Sequence, residues 1–183
     1  RRWKKNKLVN YEMKVLIIGY GTQGKKRKKL LGKYYFASLD NNNKNADYKN
    51  IKDIPLNKFN AVFICVPDSA KYKIIKYFLI KKKHVLVEKP LVSETNRKIK
   101  LLEKIARKNK LVLYTAYNHR FEPHFINIKK LLSLKSIGKI FYCYLFYGNG
   151  TARLVRNSPW KDKGYGVTYD LGSHLIDTIN FWF

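Results

Sequence analysis

The sequence predicts an α/β protein: a doubly wound parallel sheet, followed by the start of an α+β second domain with a mainly antiparallel open sheet. Three observations carry that expectation. Short β-favouring apolar runs alternate with segments of helical period across residues 13–117. The first run stops at Gly19, and two further glycines follow at Gly21 and Gly24. Beyond Asn118 the character shifts to a helical stretch, a long aromatic run and a glycine-rich loop.

Residues 1–12 are basic and aperiodic and are expected to be a flexible lead-in. Lys14–Ile18 is the first expected strand, and Gly19-Tyr20-Gly21-Thr22-Gln23-Gly24 turns the chain into a helix over Thr22–Leu31. This is the pattern that binds the pyrophosphate of a dinucleotide. Gly19 makes a turn that a Cβ would obstruct, Gly21 lets backbone approach phosphate, and Gly24 lets helix and strand pack closely. The helix N-terminus adds free N–H groups and the positive end of its dipole. Lys-Lys-Arg-Lys-Lys at positions 25–29 reads as the exposed face of that helix, with Leu30 and Leu31 turned inward. Its first lysines are placed to help neutralise phosphate.

Tyr34–Leu39 is the second expected strand, ending at Asp40. The acidic residue that holds the ribose is expected about 20 positions after the first glycine, which is where Asp40 stands. A carboxylate there accepts from ribose hydroxyls and repels a 2′-phosphate, so NAD is favoured, with NADP not excluded. The competing reading is a turn aspartate opening Asp40-Asn41-Asn42-Asn43. Asn41–Asn60 is polar, with room for one short helix or edge strand. Ala61–Val66 is the third strand, closed by Pro67-Asp68-Ser69, and a helix runs from Ala70 to Lys82 with Ile74, Ile75, Phe78 and Leu79 at its inner spacing. His84–Val87 is the fourth strand and leads into Glu88-Lys89-Pro90. A helix from about Glu94 to Lys108, capped by Ser93, and a fifth strand over Lys110–Tyr117 complete the sheet. Ligands bind at the carboxyl ends of such strands, so Gly19, Asp40, Val66, Pro67, Glu88 and Asn118 should line one crevice. The dinucleotide-binding domain is thus expected over 13–120, and the start of a second domain over 121–183. In the latter, Phe125–Leu134 and Thr168–Phe183 read as helices, and Ile137–Tyr147 as a long strand of a second sheet.

The formal net charge of +27 invites a nucleic-acid or anionic-membrane reading. The lysines are scattered over many helix faces, however, in a chain also rich in Asn, Ile, Tyr and Phe, so a compositional bias with a solvated surface is the better account. The charge favours anionic substrates. Cys65 and Cys143 lie in apolar runs with no Cys-x-x-Cys, which points to buried free thiols in a reducing compartment. No stretch reaches the roughly 20 apolar residues of a membrane span, and no signal peptide is evident, so a cytoplasmic protein is expected.

Three segments together resemble the Gfo/Idh/MocA oxidoreductases: Gly19 to Gly24, then Val85-Leu86-Val87-Glu88-Lys89-Pro90, then Asp170-Leu171-Gly172-Ser173-His174-Leu175-Ile176-Asp177. Their order and spacing match from about Met13 to the last residue. The resemblance implies a Rossmann-type, nicotinamide-dependent dehydrogenase of sugars, cyclitols or sugar nucleotides, with Lys89, Asp170 and His174 as catalytic residues. It also implies that Glu88 and Pro90 shape the cofactor loop, and that Asn118 and Arg120, with Tyr117, lie where nicotinamide and substrate are contacted. The residue types suit the chemistry. Lys89 can stabilise alkoxide charge, His174 can take a proton near neutral pH, and Asp170, four residues earlier on a helix, shares its face. Trp160 is a candidate wall of the substrate site. His84, His119 and His124 are read as ordinary core or surface histidines, and no metal ligands are expected. Where the family often has a histidine four residues after the proline that closes the third strand, this chain has Lys71. Family members also continue for more than 100 further residues, so the chain is expected to be truncated within or just after the His174 helix. The expected partners are a small sugar-type molecule and, at full length, further copies of the chain, with no nucleic acid and no membrane. A catalytically silent NAD-binding module and a basic nucleic-acid binder are the alternatives.

Overall fold

The computed structural model describes residues 12–91, 95–148 and 166–183. The chain divides into two compact units, with the boundary in the sequence between Tyr114 and Thr115.

The first unit is built on a sheet of order β2-β1-β3-β4-β5. Its strands are β1 (Val15–Ile18), β2 (Tyr35–Leu39), β3 (Ala61–Ile64), β4 (His84–Val87) and β5 (Leu113–Thr115). β1 pairs parallel with β2 and β3, and β3 pairs parallel with β4. The helices are α1 (Thr22–Leu31), α2 (Asp68–Ile80) and α3 (Asn96–Lys108). All four residues of β1 are buried, as in a parallel strand covered on both faces. Leu16 and Ile18 belong to the larger core with Phe59, Val62, Ile64, Ile75, Phe78 and Leu102. Val15 and Ile17 pack with Leu31 and Ala61 on the opposite face. That alternation is the period-2 geometry of a strand.

The strand ends are level. Ile18 is in register with Leu39 and with Ile64, and Ile64 with Val87. The next residue of each strand, Gly19, Asp40, Cys65 and Glu88, therefore falls on one line along the carboxyl edge. The ladder extends into that line: Gly19 N–H donates to Leu39 O (2.8 Å), Cys65 N–H to Ile18 O (2.7 Å) and Glu88 N–H to Ile64 O (2.9 Å). Strand order reverses between β1 and β3, the place where doubly wound sheets open a ligand crevice.

Several local expectations are corrected. Leu31 is buried but Leu30 is exposed, because only one of two adjacent helical residues can point at the sheet. Of the four apolar residues expected inside α2, Ile74 is half-buried, and its place on the buried stripe is taken by Lys71. α3 starts at Asn96 with Thr95 in the cap position, whereas Ser93 lies outside the described residues. Asn41–Asn60 forms two short 3₁₀ turns, Ile51–Asp53 and Leu56–Lys58, and a single parallel bridge from Tyr48 to Leu39. Cys65 is a half-buried free thiol, but Cys143 is exposed.

The second unit contains a 3₁₀ turn (Asn118–Phe121), α4 (Pro123–Ser133), a π-helical turn (Thr168–Gly172) and α5 (Ser173–Trp182). Arg120 is paired with Asp177 of α5, so the turn expected to close the first domain at residue 120 belongs with the second unit. Trp182 Nε1–H donates to Phe125 O (3.0 Å), tying α5 to α4. Residues 137–147 form no strand, and Phe141, Tyr142, Tyr144 and Phe146 are each at least 75% exposed. A strand needs a neighbour for its backbone groups, and among the described residues no strand pairs with this segment. The expected antiparallel sheet is therefore not seen there. The expected lead-in (apart from Glu12) and Trp160 fall outside the described residues.

Candidate functional site

In the first unit the glycine turn is shaped by three different constraints. Gly19 has φ +89°, and a Cβ there would lie 2.5 Å from Cys65 O and 3.0 Å from Val66 Cγ1, so it is pinched against the end of β3. Gly24 is pressed on the turn itself: its Cβ would stand 2.1 Å from Gly19 O. At Gly21 a Cβ would meet nothing within 4 Å. Gly21 is also the N-cap of α1, with no side-chain cap and no acidic residue in the first turn. The unit thus presents an uncapped helix N-terminus beside an open backbone surface, which is the form of an anion cradle.

Asp40 fixes the turn from the side. Its Oδ2 accepts the Tyr20 N–H at 2.7 Å, and its Oδ1 accepts the N–H groups of Asn42 (2.9 Å) and Asn43 (3.0 Å). Asn43 Nδ2 returns a hydrogen bond to Tyr20 O at 2.6 Å. Burial alone would raise the Asp40 pKa, but these donors and the charge of Lys49 bring it below the ordinary value. Asp40 opens an Asx turn, as the turn reading expects, and it also faces the glycine turn through the Tyr20 N–H. Three of its roughly four lone-pair sites are used, leaving acceptor capacity for a hydroxyl.

The Glu88-Lys89-Pro90 loop follows β4, and its Lys89–Pro90 peptide is cis. Arg27 of α1 pairs with Glu88 through Nε (2.7 Å) and Nη2 (2.6 Å). Lys28 lies over the rings of Tyr20 and Tyr35, 4.5 Å from the latter's centroid. Two members of the basic run are therefore structural, while Lys25, Lys26 and Lys29 are exposed. Lys71, 1% exposed, reaches the same loop from α2. Lys89 itself is half-buried. Val66, half-buried, and Pro67, exposed, lie between β3 and α2.

In the second unit His174 is buried within aromatic rings. The ring centroids of Tyr117 and Tyr147 lie 5.7 Å away and that of His119 4.8 Å away. His119 is itself stacked on Phe125 at 4.8 Å and bonded to Glu122 Oε1 at 2.8 Å. Asn118 Nδ2 donates to the same carboxylate oxygen (2.9 Å). Asp170 sits in the π-helical turn immediately before α5, an irregularity common at functional sites. The Arg120 guanidinium makes two bonds to Asp177, at 2.8 and 2.6 Å. Burial raises the Tyr117 phenol above its ordinary pKa, with Ser173 and Arg120 opposing the rise.

A family model described as an oxidoreductase family with the NAD-binding Rossmann fold, Gfo/Idh/MocA, matches residues 23–117. This chain belongs to the Gfo/Idh/MocA oxidoreductase family. An uncharacterized oxidoreductase of Schizosaccharomyces pombe is 35% identical over 121 residues, covering 63% of this chain and 31% of the relative. A scyllo-inositol 2-dehydrogenase (NADP(+)) of Bacillus subtilis is 29% identical over 119 residues, covering 63% of the chain and 32% of the relative. The chain therefore spans about a third of the length of these curated relatives. An Agrobacterium radiobacter oxidoreductase, solved in complex with NAD+, L-tartaric acid and magnesium, superposes with a TM-score of 0.76 at 17% identity. That match covers 93% of this chain and 54% of the solved one, and at that identity it speaks for the fold.

The Gfo/Idh/MocA chain thus gathers Gly19 to Gly24, Asp40, Glu88 and Lys89 along one edge of the first unit, with Val66 and Pro67 at the end of β3. Asn118, Arg120, Asp170 and His174 belong to the second unit. Sequence reasoning missed Lys71 and Arg27, which look like surface charges in so basic a chain, and His119, which has no motif of its own. Lys71 did carry signals: it stands where the family often has a histidine, and one helical turn before the inward Ile75. Among the described residues no helix is long and apolar enough to cross a membrane, and no group of three His, Cys, Asp or Glu gathers as a metal site.

Proposed function

We propose that this chain carries the cofactor-binding part, and the beginning of the substrate-binding part, of an NAD-dependent dehydrogenase. The reaction is hydride transfer between nicotinamide and a secondary hydroxyl or ketone of a cyclitol, sugar or sugar nucleotide. One observation carries the reading: in a chain of this family, Gly21 leaves open backbone at an uncapped helix N-terminus, flanked by glycines packed too tightly for any side chain. The residues present fit a dinucleotide. The backbone of Gly21, Thr22 and Gln23 would hold the pyrophosphate, with Gly19, Tyr20 and Gly24 shaping the turn. Asp40 would accept from the ribose, and Val66, Pro67, Glu88 and Asn118 would border the nicotinamide end. When bound, the nicotinamide supplies the hydride donor or acceptor. Lys89 Nζ donates to the substrate oxygen and stabilises the negative charge that develops on it. A ring nitrogen of His174 takes the proton, with Asp170 orienting the imidazole or meeting the substrate. A cyclic polyol is the favoured substrate, supported by the inositol dehydrogenase relative, and the excess of positive charge suits anionic sugars as well.

The test is turnover of NAD+ on a panel of cyclitols and sugar acids, alongside cofactor titration, with Lys89→Ala and His174→Ala. Both variants are expected to bind NAD+ and to lose turnover. Wild-type turnover in both variants refutes the catalytic assignment. Binding without turnover on any polyol supports a silent NAD-binding module instead.

A further inference from the structure

Lys71 is a fully buried lysine on the apolar stripe of α2, in line with Ile75 and Phe78. A buried ammonium persists only where its donors are met and its charge is opposed. Lys71 has both. Nζ donates to Glu88 O at 2.6 Å and to Pro90 O at 2.7 Å, and it pairs with Asp68 Oδ1 at 2.7 Å. These three acceptors match the three donors of an ammonium. The two carbonyls bracket Lys89. On the other side of the loop, Arg27 of α1 holds the Glu88 carboxylate.

We infer that Lys71 is the positioning residue for Lys89: its ammonium bridges the carbonyls on either side of Lys89 and fixes the backbone from which that side chain reaches the substrate. The inference rests on the catalytic role proposed for Lys89. Lys71 holds the peptide that enters residue 89, through Glu88 O, and the Pro90–Leu91 peptide one residue beyond it, through Pro90 O, so the backbone is pinned on both sides of Lys89. Arg27 restrains the preceding side chain, so the loop is held from α1 and from α2. An apolar residue at 71 would fill the space but take from the Glu88 and Pro90 carbonyls the donor they share. A histidine would offer at most two ring N–H groups in one plane, whereas the flexible ammonium meets three acceptors in different directions. The pKa of Lys71 is lowered by burial and held up by Asp68 and Glu88, and Lys89 lowers it further, so the two ammonium groups sense one another.

The test compares Lys71→Met and Lys71→Arg with wild type, and uses Lys89→Ala as the reference for catalysis. Hydrogen exchange of the Lys89 and Leu91 amides is expected to speed up by about tenfold in Lys71→Met, as charge-assisted bonds are lost, while the Val85–Val87 amides stay unchanged. kcat is expected to fall by about a hundredfold, the scale of a small misplacement. The NAD+ dissociation constant and the polyol KM should stay within about twofold. Lys71→Arg, which keeps charge and donors, should restore much of the loss. If Lys71→Met does not fold, Asp68→Asn removes the opposing charge from the half-exposed side and is expected to loosen the same two amides. Unchanged exchange at Lys89 and Leu91 overturns the inference whatever the turnover. A loosened loop with unchanged kcat also overturns it. Wild-type turnover by Lys89→Ala would instead sink the catalytic reading, and the exchange result would still report on the loop.

Discussion

The three glycines of the turn should respond differently to the same one-carbon change. Alanine at Gly24 places its Cβ 2.1 Å from Gly19 O, where ordinary contact begins at 3.4 Å, and the opposing atom is backbone. Helix α1 and strand β1 must separate to relieve it, so a loss of about 3 kcal/mol is expected, the upper range for overpacking. Alanine at Gly19 meets Cys65 O at 2.5 Å and must also hold φ near +89°. The left-handed conformation alone costs about 1–2 kcal/mol, so a comparable total is expected. Alanine at Gly21 meets nothing within 4 Å, and the backbone there is extended, with φ −78° and ψ −157°. Stability should be unchanged or rise by about 0.5 kcal/mol through the unfolded state. The Gly21 methyl would nonetheless occupy the approach of a phosphate, so NADH affinity should fall by at least about tenfold, or about 1.4 kcal/mol. Urea denaturation and NADH titration of the three variants read both quantities. A Gly21→Ala protein as destabilised as Gly24→Ala, or one that binds NADH as wild type does, would refute the account of the turn.

Other consequences are open to measurement. Asp40→Asn keeps an acceptor for the Tyr20 N–H but removes the charge, so the preference for NAD+ over NADP+ should narrow by about tenfold; an unchanged ratio of dissociation constants would show that Asp40 does not set it. Asp47 accepts from the Tyr35 hydroxyl and from the N–H and hydroxyl of Ser38. Burial would raise its pKa, but these bonds and Lys28 lower it. A depressed folded pKa contributes stability above the unfolded value near 3.9 and loses it as pH falls further. Urea midpoints should therefore drop below about pH 4, and drop less in Asp47→Asn; equal acid sensitivity would count against this. Arg120→Met should destabilise the second unit by about 3 kcal/mol, because Asp177 is left buried without its partner; a loss below about 1 kcal/mol would return Arg120 to a purely substrate-facing role. Finally, Cys143 is exposed, whereas burial pushes the Cys65 thiol up to about 12. A thiol reagent at neutral pH should label Cys143 quickly and Cys65 slowly, and two equally fast thiols would contradict the structure.

Much of the first unit was legible in the sequence because its signals are local. Four buried residues in a row at Val15–Ile18, glycines at fixed offsets and an acid about 20 positions on each reflect one backbone requirement. What was not legible depends on neighbours in space. Leu30 and Leu31 are alike in hydrophobicity, and only the direction of α1 against the sheet separates them. Lys71 and Arg27 resemble any surface charge until the loop they hold is placed beside them. His119 gains meaning from His174 and Glu122, one of them 55 positions away in the chain (119 to 174). The aromatic run at 137–147 has strand propensity, but propensity supplies no partner, and the segment stays unpaired among the described residues.

The most direct test of the central claim is a crystal structure of the protein with NAD+ bound. The account predicts the pyrophosphate on the backbone N–H groups at the start of α1, an adenosine ribose hydroxyl on Asp40, and the nicotinamide at the end of the crevice bordered by Glu88 and Lys89. A dinucleotide seated away from Gly21 and Asp40, or its nicotinamide away from Lys89, would contradict it.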